Sequence, residues 1–134
     1  LMLFQRKIKE PDWSSRAEVG AWGEAAAARY LKEKGYQIVA QHWTHRIGEI
    51  DIIAAKDGRI IFVEVKTRTS SKYGTPEEGI TWRKQQRLAR TANVYMLEHK
   101  FNNVPYQIDS IAVICNLVLR KATIRHMENV IGGK

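Results

Sequence analysis

Four ionisable residues stand at alternate positions in two apolar runs: Glu49 and Asp51 in GEIDIIA, and Glu64 and Lys66 in RIIFVEVKT. Carboxylates and a lysine brought together can hold a divalent cation and aim a water at a phosphodiester, because Mg²⁺ takes one or two carboxylates and fills its other positions with water and phosphate oxygens. Whether they meet depends on the turn between the runs. Asp57-Gly58 is a favourable two-residue hairpin turn, and a symmetric turn sets Asp51 opposite Glu64 and Glu49 opposite Lys66. Since strand side chains alternate, these four then share one face, and Ile50, Ile52, Val63 and Val65 share the other.

Directly opposed carboxylates have Cβ atoms about 4.5–5.5 Å apart and repel by roughly 3–4 kcal/mol at an effective dielectric constant near 20. Lys66 offsets part of this. A cation between Asp51 and Glu64 offsets it more directly and leaves Lys66 to orient or deprotonate the attacking water. A plainer reading stays open: an exposed sheet face carrying charges, with Glu49 and Lys66 as a cross-strand salt bridge. A three-residue turn would also shift the register and carry Asp51 to the other face.

The flanking elements must position these groups. Ser15-Arg16-Ala17-Glu18 is a capping-box pattern and Gly35 a stop, which predicts a helix over residues 16–34 with Val19, Trp22, Gly23, Ala26 and Tyr30 as its apolar stripe. Glu24 falls at the stripe's edge, stacked with Gly20, Ala27 and Leu31, so its carboxylate looks along the packed interface. YQIVAQHW, GEIDIIA and RIIFVEVKT read as three strands. A polar loop follows over residues 69–79, with Thr75-Pro76-Glu77-Glu78 as a short helical start. A second helix follows Thr81 and runs to about His99, with Gln85, Leu88, Ala89, Ala92, Tyr95 and Met96 on one face. YQIDSIAVIC and a final pair near NLVL and ATIRHM complete a mixed α/β arrangement.

The chain's 134 residues, 44% of them hydrophobic, suffice for one core. We expect one domain over residues 13–131, with residues 1–12 and 132–134 as tails. Twenty-two Lys and Arg against 14 Asp and Glu give a net charge of +8, which favours a polyanionic partner, nucleic acid first. Between Lys66 and Arg90 the basic side chains are Lys66, Arg68, Lys72, Arg83, Lys84, Arg87 and Arg90, against Glu77 and Glu78. With Arg46, just ahead of the GEID strand, Arg68, Lys72, Arg83, Lys84, Arg87 and Arg90 are the candidate phosphate contacts. A solvated helix face is the competing reading for the arginines. Tyr73 and Trp82 are candidates for stacking on bases, Trp82 also for the core.

The single Cys115 excludes an internal disulfide, and LMLF followed by QRKIKEPDW cannot supply the apolar region of a signal peptide. The expectation is a cytoplasmic protein without a membrane partner. His42, His45, His99 and His126 lack metal-ligand spacing. Asp109 sits in an apolar strand and reads as structural. No Ser-His-Asp set or glycine-rich phosphate loop is visible, so covalent hydrolases and nucleotide cofactors find no support.

Asp51 followed after a hairpin by Glu64-Val65-Lys66 resembles the D…(D/E)-x-K signature of restriction-endonuclease-like nucleases. WGEAAAARYL, RIGEIDIIA, FVEVKTR, KQQRLARTANVYM, YQIDSIAV and HMENV in order resemble the YraN family of bacterial proteins, relatives of the archaeal Holliday-junction resolvases. The resemblance implies a restriction-endonuclease-like core: a mixed central sheet of about five strands flanked by helices. It implies Glu24, Asp51, Glu64 and Lys66 as catalytic residues, with Glu24, Asp51 and Glu64 holding Mg²⁺ or Mn²⁺. By their own placement Glu49, on the strand, and Gln85, on the apolar side of the second helix, are candidates to support the site; a helix-end residue bonded to backbone is the other reading of Gln85. The set of acids with Lys66 and the basic helix beside it favour metal-dependent cleavage of DNA, branched DNA first, and since resolvases of this fold pair to make two symmetric cuts, a homodimer is the expected partner. The alternative is a catalytically silent nucleic-acid-binding module of a DNA-processing assembly.

Overall fold

A computed structural model of the chain describes residues 2–4, 10–69, 81–119 and 121–131. The elements run β1 (Met2–Phe4), α1 (Arg16–Glu33), β2 (Gln37–His45), β3 (Gly48–Lys56), β4 (Arg59–Arg68), α2 (Trp82–Glu98), β5 (Tyr106–Asn116) and β6 (Lys121–Met127). They build one sheet in the order β1-β6-β5-β4-β3-β2. Among the described strands only β4 and β5 pair in parallel; α2 supplies the crossover that a parallel pair requires.

The expected mixed α/β core is present, with three differences. Residues 2–4 of the expected tail form an edge strand on β6, covering backbone groups that an edge leaves unpaired. Leu117, Val118 and Leu119 of NLVL form a turn after β5, because the Asn116 side chain accepts from the Val118 and Leu119 N–H groups, both at 3.0 Å. The capping box at α1 is half formed: Ser15 Oγ accepts from the Glu18 N–H, but the Glu18 carboxylate accepts from the Asp12 N–H. Residues 70–80 and 132–134, which include Lys72, Tyr73 and the Thr75-Pro76 start, lie outside the described residues.

The sheet is clad on both faces. Ala26, Ala27, Tyr30 and Leu31 of α1 pack on Ile52, Ala54, Ile61 and Val63, while Leu88, Ala92, Tyr95 and Met96 of α2 pack on Ile50, Ile53, Ile60 and Phe62. Asp57 and Gly58 both have positive φ, 52° and 74°, the backbone that a two-residue hairpin needs. The register is the expected one from Lys56↔Arg59 to Ile52↔Val63, and there the paired register ends.

Candidate acid and lysine site

Asp51 lies one residue beyond the last β3–β4 pair. Instead of facing Glu64 across a ladder, its Oδ2 accepts from the Val65 N–H at 2.8 Å. The carboxylate thus takes the place of a strand carbonyl where the sheet opens, satisfying a donor that would otherwise be stranded. Strict alternation also fails here. Ile50 packs on the α2 side although Ile52 packs on the α1 side, and on the neighbouring strand His42 has φ 52° between Gln41↔Ile52 and Trp43↔Ile50. The expected sharing of one face by Ile50 and Ile52, and the direct Asp51–Glu64 and Glu49–Lys66 oppositions, are therefore corrected by this local bend.

The opening leaves a cavity of about 420 Å³ lined by Gly48, Glu49, Asp51, Glu64, Val65, Lys66, Lys84, Arg87 and Leu88. Glu64 is buried and its Oε1 meets two ammonium groups, Lys84 Nζ at 2.5 Å and Lys66 Nζ at 4.0 Å. Burial and the charge of Glu64 push Asp51 up to about 7. Burial, then the neighbouring Lys84, push Lys66 below its ordinary value. Burial acts on Lys84 in the same downward sense, but its bond to Glu64 prevails and holds it above its ordinary value.

Lys84, a candidate phosphate contact, thus also lines the cavity beside Glu64. Its spacing contained the signal: Leu88, four residues on, faces the core, and the same helical face runs through Lys84. Gln85 is half-buried but takes no place in the cavity lining. Glu49 reaches the rim. Glu24, on α1, stands outside the lining and pairs with His42 Nδ1 at 3.8 Å; burial, opposed by His42, raises its carboxyl. Arg46 is exposed on the β2–β3 turn and Arg68 at the end of β4, while Arg83, Arg87 and Arg90 are exposed on α2.

Among the described residues no three His, Cys, Asp or Glu side chains converge on a point suited to an ion. The donor chemistry still suits a hard cation bound mainly by water and phosphate: Asp51 and Glu64 share the cavity with Glu49 at its rim, and the charge of Glu64 raises Asp51. Asp109 belongs elsewhere. Fully buried, it accepts from His126 Nε2 (2.7 Å), Gln107 Nε2 (2.8 Å) and the Asn129 N–H (2.9 Å), and His126 Nδ1 lies 3.0 Å from the Tyr30 hydroxyl. This network ties α1 to β5, β6 and the following segment. No helix among the described residues is long and apolar enough to cross a membrane.

The sequence profile of Uncharacterised protein family UPF0102 matches residues 23–113. A UPF0102 protein of Alkaliphilus oremlandii is 40% identical over 112 residues, 84% of this chain and 96% of the relative. One from Roseiflexus castenholzii is 39% identical over 113 residues, covering 84% and 91%. Another, from Caldanaerobacter subterraneus, is 41% identical over 118 residues, covering 86% and 95%. All the elements that line the cavity fall inside the matched span.

Proposed function

The chain belongs to the UPF0102 family, whose members' names specify no reaction, and from its acid and lysine cavity we propose a metal-dependent endonuclease-like protein that hydrolyses phosphodiester bonds in DNA, branched DNA favoured. The observation that carries this reading is the meeting of Asp51 and Glu64 with Lys66 and Lys84 in one cavity beside an arginine-bearing helix face. Fold alone would not support it.

Mg²⁺ or Mn²⁺ bound at Asp51 and Glu64 would stabilise charge developing on the phosphoryl oxygens and acidify a bound water, whose attack on phosphorus breaks the bond to the leaving sugar oxygen. Lys66, beside Glu64, is positioned to hold the attacking water. Lys84 and Arg87 offer positive charge to the non-bridging phosphate oxygens, and Arg68, Arg83 and Arg90 offer contacts to flanking phosphates. Glu24 and its partner His42 stand at the α1 side of this set, where the acid adds to the negative field that attracts a cation. A second reading, a binding module without cleavage, is favoured by the Lys84–Glu64 ion pair, which already neutralises one acid.

The test is cleavage of labelled four-way junction, flap, single-stranded and linear duplex DNA with Mn²⁺ or Mg²⁺. The parent should cut, and Lys66→Ala and Asp51→Asn should each lose about a hundredfold or more in rate, a typical cost of removing one transition-state contact. Variants that cut as fast as the parent would show the site assignment to be wrong. Binding without cutting on every substrate would select the binding module.

A further inference from the structure

Of the four tryptophans, Trp13, Trp22 and Trp43 are partly buried against the two cores, whereas Trp82 is 71% exposed at the first residue of α2. A single exposed apolar residue is ordinary; the chemistry around this one is not. Trp82 lines a second cavity of about 320 Å³ with Arg83, Gln86, Arg87 and Arg90. Among the described residues no carboxylate contributes to that lining, and α2 has no acidic residue in its first turn. Arg83 and Arg87 stand four residues apart and Arg87 and Arg90 three, so like charges repel along one strip and a polyanion relieves them. The positive end of the α2 dipole acts in the same sense. Arg87 borders both cavities, so the strip is continuous with the acid and lysine site.

We propose that this strip is a subsite for an unpaired nucleotide next to the scissile phosphate, with the Trp82 indole stacked on the base and Arg83, Arg87 and Arg90 along the backbone. The inference rests on the nucleic-acid reading above and sharpens it to a substrate class. Bases within a duplex have their faces covered by their neighbours, so an indole on a protein surface can stack only on a base that is splayed out or single-stranded. An acidic peptide would satisfy the arginines but would leave the indole plane without a partner.

Binding is measured by fluorescence anisotropy in chelator, so that no strand is cut. Labelled blunt duplex is compared with the same duplex carrying a single-stranded extension. The parent should prefer the extended form by about tenfold, the effect of one base stacked on an aromatic ring. Trp82→Ala should erase the preference while leaving blunt-duplex affinity within about twofold, Trp82→Phe should keep most of it, and emission of the exposed tryptophan should fall as the extension binds. A parent without the preference, a preference intact in Trp82→Ala, or competition by poly-glutamate as strong as that by single-stranded DNA would each overturn the proposal. Because the assay needs no cleavage, a protein that shows the preference yet cuts nothing refutes the enzyme reading alone. One that cuts but shows no Trp82-dependent preference refutes only the subsite.

Discussion

At the scale of single residues, the charge state of Asp51 is the most testable feature of the site. Its carboxyl is pushed up to about 7 from an ordinary 3.8 by burial and by Glu64, so the folded chain favours the protonated form. The stability this contributes is fully present below about pH 4 and is lost as pH rises through about 7. Asp51→Asn keeps an oxygen for the Val65 N–H and removes the ionisation. Urea melts in chelator should therefore find the variant more stable than the parent at pH 8, with the gap closing towards pH 4. Mn²⁺ at pH 8 should stabilise the parent and leave the variant unmoved. Parallel pH profiles of the two proteins would show that Asp51 is not held in this unfavourable state.

At the scale of elements, two glycines set how closely the helices approach the sheet beside the site. A Cβ on Gly23 would run into the Thr67 side chain, and one on Gly48 into Thr91 Oγ1. Gly23 precedes Glu24, and Thr67 follows Lys66, so the α1–β4 contact also fixes the approach of those two charged groups. Gly23→Ala improves helix propensity by about 1 kcal/mol, yet overpacking should outweigh it and leave a net loss of about 2 kcal/mol. Thermal or urea unfolding reads the loss. Adding Thr67→Ala should recover part of it, with a coupling on the order of 1 kcal/mol. A neutral or stabilising Gly23→Ala would mean that α1 can lift from β4 at little cost. Caps and periodicity made both helices and the hairpin readable in the sequence, because those signals lie within a few residues of one another. The pairing of residues 2–4 with β6 joins opposite ends of the chain, and no local pattern encodes it.

At the scale of the whole molecule, the net charge of +8 is not spread evenly. Arg83, Arg87 and Arg90 share one exposed strip of α2, and Arg68 ends the strand that carries Glu64 and Lys66. Four phosphate contacts from these groups imply a log–log salt slope of about −3.6, so DNA affinity should fall roughly a hundredfold between about 50 and 200 mM salt. Arg87→Ala should flatten the slope by about 1 and weaken all sequences alike. A slope near zero would remove phosphate contact as the basis of binding.

The amino-acid order by itself determined strands β2–β6, the hairpin register as far as Ile52↔Val63, the two helices and the candidacy of Asp51, Glu64 and Lys66, since each follows from spacing and side-chain type within short windows. It also determined the family, through motifs running in sequence along most of the chain. Only the tertiary structure decided where the charged groups go. Asp51 turns to the Val65 N–H because β3 and β4 part after Ile52↔Val63. Lys84 reaches Glu64 because α2 packs over that opening, and Glu24 is left on the α1 side. The destination of a side chain depends on which distant donors and acceptors remain unpaired once the sheet and helices have closed, and that is a property of the assembled fold.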